Sequence, residues 1–587
     1  MPNPFSQQTI QKWFAQKDNR IVLAWLIGGL ILRCIIAYWL YPGFDEAYYY
    51  LYSLHLDWSY FDHPVLVALT TGLGVWLTGV VSQFTLRIGT LILYTGSLWL
   101  LYLTGVQLFG KKAGQWTLAI ASVIPIFTIG FGVLTMPDSP LIFFWTATLY
   151  CAACEFFPKS ASNQHNISPT HQGQNVSPSP LPLTQTEQNY TSPALPYQPT
   201  YRLALLGILV GLTCLGKYHG FILGVGLWGF VLTSSRHRRA FASTWTYLGI
   251  ILFILTLFPL WYWNAQHDWV SFRFQLSSRF EPELNVPKPT YNPLNALVVF
   301  LSGLAYLFPT MGIPLWWVTL RGLWLSAKSK WQNLHSLKLS KTWLILCISL
   351  PVTLGFTLLG GKEQILAGWP MPGFWGLTLL LGERAANWEK HSKRLMRRWL
   401  WGTAFFLLPI LFLALLHLNL GTLQKPSQYA LFGGFIAPKN DPSRELIDTS
   451  QLQQGFVDSP VLNQALQESS FVATNAYYLG GLIGMALIPV KPIPIVCFSE
   501  DMRGFATWSH PEEFLGKDGL YITLERFHEM EKLNREFSGY FTRFVEIGTV
   551  PLKRGGAETE VFHVYQVEKM LEPYPRSEID ALANFPA

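Results

Sequence analysis

The residues able to do chemistry in this chain lie in a few short stretches beside apolar runs. They are Asp45-Glu46 in YPGFDEAYYY, Asp62-His63 in YFDHPVL, Asp138 in TMPDSPL, Lys217 in GKYHG, Asn264, His267, Asp268 and Arg273 in NAQHDWVSFR, and Lys362 in GGKEQ. An ionisable group at the edge of a hydrocarbon layer is expensive to place and by default marks function. A carboxylate there can take a proton from an attacking hydroxyl or amine. Ammonium and guanidinium groups can balance charge that builds on a leaving phosphate. Such a leaving group departs as a stable anion and needs no strong general acid. Asp45, Glu46 and Asp138 carry the strongest signal, because each lies within a residue or two of an apolar run on an acid-poor chain. For Arg273 and His267 a solvated or interfacial role is the simpler reading, and Asp62-His63 also suits a turn ahead of the next helix. Asp62, His63 and His267 match no metal-ligand spacing, so a divalent metal stays open without assigned ligands.

Groups of this kind need a scaffold, and the composition says which. Of the 587 residues 50% are hydrophobic and 13% charged. A soluble globular protein carries about 25% charged residues. This excludes a disordered chain, and six cysteines in such a length exclude a disulfide-built secreted domain. The net charge of +7 is divided: residues 1–420 hold 28 Lys and Arg against 14 acids, whereas residues 421–587 hold 14 against 21. An apolar, basic body is thus followed by an acidic, soluble domain. Basic loops between apolar runs point to membrane orientation and give no reason to expect nucleic acid.

Membrane spans, for which about 30 Å of hydrocarbon calls for roughly 20 apolar residues, are expected near 21–41, 85–109, 114–134, 139–157, 201–216, 219–234, 243–262, 294–320, 342–360, 368–383 and 399–419, the pair 201–216 and 219–234 being short. The stretch 64–82 is expected to lie in the membrane plane. With the N-terminus inside, that choice puts 21 Lys and Arg in inner loops against 6 in outer ones; counting 64–82 as a span would move Lys111-Lys112 outside. Residues 158–200, with eight prolines and two charges, are expected to be a disordered inner loop. Beyond 420, FVAT (471–474), IPIVCF (493–498), GLYITL (519–524), FTRFVEI (541–547) and VFHVYQV (561–567) have strand composition. The expected architecture is an all-α polytopic membrane bundle of about eleven spans plus in-plane helices over 21–420, preceded by an inner segment 1–20 and followed by an extracytoplasmic α/β domain over 421–587.

Four motifs in order, DEAYYYLYS…LDWSYFDHPVL, TMPDSPLIFFW, GLTCLGKYHGFIL and WYWNAQHDWVSFRF, resemble the bacterial members of glycosyltransferase family 39. That family holds the dolichyl-phosphate-mannose–protein mannosyltransferase-like and aminoarabinose transferase-like enzymes of the GT-C fold. The resemblance covers roughly residues 20–390. It implies a polyprenyl-phosphate sugar donor, transfer with inversion to a lipid, glycan or protein acceptor, and an inner-membrane enzyme whose site faces the extracytoplasmic side. By carry-over Asp45 matches the catalytic base, Glu46 its neighbour, and Asp138 the acid of the second outer loop. Lys217 and Lys362, with Arg273 among the outer-loop cations, match positions near the donor phosphate. Asp62-His63 falls where aminoarabinose transferases have an acid and Lys before Pro-Pro. Here His63 replaces the Lys and Val65 the second Pro, which weakens the phosphate contact at that position. A transporter of a lipid-linked or anionic substrate is the alternative. It would need polar residues deep in several spans and internal symmetry, and Arg33 is the main residue of that kind.

Overall fold

A computed structural model describes residues 16–158, 197–276, 290–331, 336–499 and 501–574. The expected inner loop 158–200 lies almost wholly outside the described residues, as does most of segment 1–20.

The first part of the chain is helical throughout. α1 (Lys17–Trp39), α2 (Phe44–Leu54), α3 (Leu66–Thr78), α4 (Gln83–Phe109) and α5 (Lys111–Val123) lead through a π-helical turn (Ile126–Phe131) to α6 (Asp138–Phe156). After the loop come α7 (Arg202–Gly216), α8 (His219–Thr233), α9 (Thr244–Thr256), α10 (Phe258–Gln266) and α11 (Val270–Leu276). α12 (Pro293–Leu307), α13 (Pro309–Trp331), α14 (Leu337–Leu359) and α15 (Met371–Leu420) complete the bundle.

Among the described residues α1, α4, α14 and α15 are each long and apolar enough to cross a membrane, and two bent helix pairs raise the number to six. The expected span 294–320 is not one straight helix. It breaks by 118° at Phe308, whose φ of 63° and following Pro309 interrupt the helical hydrogen-bond ladder. The expected spans 368–383 and 399–419 run together as α15, with non-helical backbone at Ser392 between them. The stretch 64–82 contains only the 13-residue α3, about 20 Å long at 1.5 Å per residue, which is too short to cross. Arg33, buried in α1, donates to Thr95 Oγ1 at 3.0 Å and lies over the Tyr94 ring.

α15 ends at Gly421, and a second domain follows. Its helices are α16 (Thr449–Asp458), α17 (Pro460–Glu468), α18 (Tyr477–Leu487), α19 (Phe505–Trp508), α20 (Glu525–His528) and α21 (Glu531–Ser538). Its strands are β1 (Val472–Thr474), β2 (Ile495–Cys497), β3 (Gly519–Leu524), β4 (Phe541–Arg554) and β5 (Ala557–Met570), in sheet order β2-β1-β3-β5-β4. All five strands expected from composition are present. β1 pairs in parallel with β2 and β3, while β5 pairs antiparallel with β3 and β4.

The core of this domain does not stop at residue 421. Ala47, Tyr48, Tyr49, Tyr50, Leu51 and Tyr52 of α2 belong to the same buried cluster as Leu479, Leu482 and Ile483 of α18. At the crossing point a Cβ on Gly481 would stand 2.4 Å from the Tyr48 backbone nitrogen, so only glycine lets the two helices meet. The helix that carries Asp45 and Glu46 is therefore clamped between bundle and sheet domain.

Candidate active site

Glu46 organises the surroundings. Arg87 of α4 donates to its carboxylate through Nε and Nη2 at 2.8 and 2.6 Å. The same guanidinium donates to the backbone oxygens of Ala37, Leu40 and Tyr41, carbonyls left unpaired at the end of α1. Gly43 N and Thr135 N also donate to Glu46, at 3.0 and 2.8 Å. With both side chains buried, this bidentate pair fixes the start of α2 to α1, α4 and the loop before α6. Arg87 lies inside α4, where a lone Arg in an apolar run was the available sequence signal.

Held in this way, the first turn of α2 and the turn before α6 share one end of the bundle. Asp138 opens α6 and accepts from Lys217 Nζ at 2.7 Å, with both side chains largely buried. Lys217 follows α7 directly. A Cβ on Gly216 would lie 2.7 Å from the Leu141 backbone nitrogen, so the absence of a side chain there brings the lysine against α6.

Asp62 is almost fully buried. Its Oδ1 accepts from Tyr52 OH. Its Oδ2 lies 3.3 Å from Nη1 of Arg503, a residue of the sheet domain. Arg503 also pairs with Asp501 at 3.2 Å and lies over the Tyr477 ring, 3.8 Å from its centroid. The adjacent Gly504 N donates to Tyr48 OH at 2.8 Å. Burial works against the Arg503 charge, but Asp62 and Asp501 outweigh it and hold the guanidinium firmly protonated. From the other side α10 and α11 brace the same loop: Trp263 Nε1 donates to Asp57 at 2.7 Å, Ser271 Oγ to Tyr60 O at 2.8 Å, and Gln275 Nε2 to Asp62 O at 2.7 Å.

Asp45 differs from these acids. Among the described residues its carboxylate accepts no hydrogen bond and joins no ion pair, although its neighbours Glu46 and Asp62 both have protein donors on each oxygen. Burial pushes its pKa above the ordinary carboxylate value. Arg503 and Lys217 pull it back, while Asp62 and Glu46 add to the rise. The structure thus gathers Asp45, Glu46, Asp62, Asp138 and Lys217, and adds Arg87, Arg503 and Tyr52. His63 stands edge-on to Tyr49 with ring centroids 5.6 Å apart. Arg273 donates to the backbone oxygen of Asp268. Lys362 is half-exposed and pairs with its own neighbour Glu363 at 3.5 Å; it makes no contact with the cluster. The three groups considered for a metal do not converge. The Asp62 oxygens are taken by Tyr52 and Arg503, and His267 stacks on Trp263 with Nδ1 2.8 Å from the Trp263 carbonyl oxygen. Arg503 was invisible in the sequence, since nothing in SEDMRGF links a residue of the acidic domain to a turn more than 400 positions earlier.

The crystal structure of ArnT from Cupriavidus metallidurans in the apo state superposes with a TM-score of 0.54 at 11% identity, covering 94% of this chain and 98% of that one. The chain has the GT-C fold. The same enzyme bound to undecaprenyl phosphate matches with the same score, identity and coverage. The family model described as dolichyl-phosphate-mannose-protein mannosyltransferase matches residues 62–156 and 191–263. Those stretches contain Asp62, Asp138 and Lys217; Asp45 and Arg503 lie outside them. No curated protein matches the chain. In this GT-C chain the acids therefore stand where the bundle meets the C-terminal sheet domain.

Proposed function

We propose that this protein is an integral-membrane glycosyltransferase that moves a sugar from a polyprenyl-phosphate donor to an acceptor on the extracytoplasmic side, with Asp45 as general base. The observation that carries the reading is the Asp45 carboxylate. Among the described residues it is the acid of the cluster left without a protein partner, and its pKa is raised while two cations stand close enough to act on it. Glu46, by contrast, has four protein donors on its two oxygens and cannot accept a proton without giving up one of those bonds.

The acceptor hydroxyl or amine gives its proton to Asp45 as its oxygen or nitrogen bonds to the anomeric carbon. The bond from that carbon to the phosphate oxygen breaks, its electron pair leaves with the phosphate, and the configuration inverts. Lys217 and Arg503 lie beside Asp45 to balance the growing phosphate charge. Arg503 supplies the strong cation that His63 does not provide. Glu46 and Asp62 position Asp45 and Arg503. The orientation is supported by the excess of Lys and Arg in the expected inner loops, and the donor class by the fold shared with ArnT, solved with undecaprenyl phosphate.

The test is Asp45→Asn in cells, with envelope glycolipids and glycoproteins compared by mass spectrometry against wild type and a deletion strain. Loss of the same sugar in the variant and the deletion is expected, with the variant present in the membrane at wild-type level. A normal sugar profile in the variant removes Asp45 from the mechanism.

A further inference from the structure

A second constellation stands in the sheet domain, independent of the acidic cluster. His563 on β5 lies with Nε2 2.9 Å from Glu525 Oε2 and Nδ1 2.8 Å from Glu546 Oε1. His528, at the end of α20, stacks on it with ring centroids 3.8 Å apart and accepts or donates at Nδ1 to Tyr565 OH. Donor atoms of His528, Glu546 and His563 all lie within 4.8 Å of one another, the one such group among the described residues. Three elements deliver them. α20 follows β3 directly, β3 pairs with β5, and β4 pairs with β5 on its other side. A register shift between Glu546 and Gly548 re-aims the β4 side chains at this point, as bulges beside sites do.

A neutral imidazole carries one N–H. If Nε2–H donates to Glu525, the Nδ1 lone pair faces a carboxylate oxygen at hydrogen-bond distance, which is repulsive unless a cation lies between them. Carboxylate–imidazole–metal is the arrangement that orients histidine ligands generally: the outer carboxylate fixes the tautomer and the opposite nitrogen binds the ion. We propose that His528, Glu546 and His563 form a divalent transition-metal site of the zinc class, with Glu525 orienting His563. Two imidazoles and one carboxylate suit zinc, whereas calcium and magnesium take oxygen ligands. The parallel stack cannot aim both rings at one ion, so His528 turns out of it on binding; it is half-buried and ends a four-residue helix. The bound ion ties α20 to the β4–β5 hairpin and stiffens the sheet domain.

The test uses the untagged full-length protein in detergent, dialysed against zinc and then metal-free buffer. One zinc per chain is expected to remain in wild type and to be absent from His563→Ala and Glu546→Gln. Glu525→Ala should weaken binding by about 10- to 100-fold. On the wild-type protein alone, a chelator should lower the unfolding midpoint and zinc, but not magnesium or calcium, should restore it; this arm stands even if a variant does not fold. Wild type that retains no more zinc than His563→Ala, or a midpoint that zinc leaves unmoved, overturns the site in favour of a protonated His563 between two carboxylates.

Discussion

Replacing Arg503 by Gln separates a catalytic contribution of the sheet domain from simple docking. The guanidinium lies 3.3 Å from Asp62, with 23% of the Arg503 side chain and 2% of the Asp62 side chain exposed. At an effective dielectric near 20 two unit charges at that distance interact by about 5 kcal/mol. Breaking a buried pair from one side costs about 3–5 kcal/mol. Arg503 is partly wet and Tyr52 stays on Asp62, so a loss of about 2–3 kcal/mol is the reasoned figure. For a domain of this size it lowers the unfolding midpoint by roughly 4–12 °C. The second effect is on Asp45, where the Arg503 charge opposes the rise caused by burial. A general base must be deprotonated, so transfer falls as pH drops through its pKa. Removing Arg503 raises that pKa further, and the acid limb of the pH–rate profile should move to higher pH. The assay is sugar transfer from polyprenyl-phosphate donors by purified protein across pH, below the unfolding temperature, with Arg503→Lys as the charge-retaining control. Superimposable acid limbs for wild type and Arg503→Gln would refute the electrostatic link to Asp45.

Asp45→Asn should unfold at a higher temperature than wild type near neutral pH. The folded pKa of Asp45 lies above its unfolded value, so its stability contribution is full below about pH 3.9 and lost as pH rises through the folded pKa. The advantage of Asn should therefore vanish in acid, and a pH-independent difference in midpoint would contradict the burial of an unpaired carboxylate. Glu46→Gln leaves Arg87 buried without its counter-charge and should cost about 3–5 kcal/mol, measured as loss of folded protein on heating in detergent. A variant as heat-resistant as wild type would show that the pair does not hold α2. Gly481→Ala puts a Cβ 2.4 Å from the Tyr48 nitrogen and should cost about 1–3 kcal/mol by overpacking. Faster protease cleavage between residues 421 and 449 would report the loosened domain, and unchanged cleavage would mean that the two helices meet elsewhere.

Much of the bundle was legible in the sequence because membrane spans announce themselves by length and apolarity, and the five strands because β-branched and aromatic residues cluster between polar turns. What misled was local continuity. The run 294–320 is apolar throughout, yet Phe308-Pro309 turns it by 118°, and hydropathy does not register direction. Asp45, Asp138 and Lys217 were readable as rare charges beside apolar runs, since the cost of placing them there is a property of each residue and its immediate neighbours.

Their division of labour was not readable, because it depends on which donor each oxygen meets. Glu46 is spent on Arg87 and two backbone amides, Asp62 on Tyr52 and Arg503, and Asp45 on none of the described residues, although all three are acids in one short segment. Composition and spacing thus determined that this chain is a membrane bundle with acids at one end and a soluble domain after it. Only the folded chain decided that the soluble domain reaches back over those acids with Arg503, because a contact between positions 62 and 503 is made by packing and leaves no periodicity in the sequence between them.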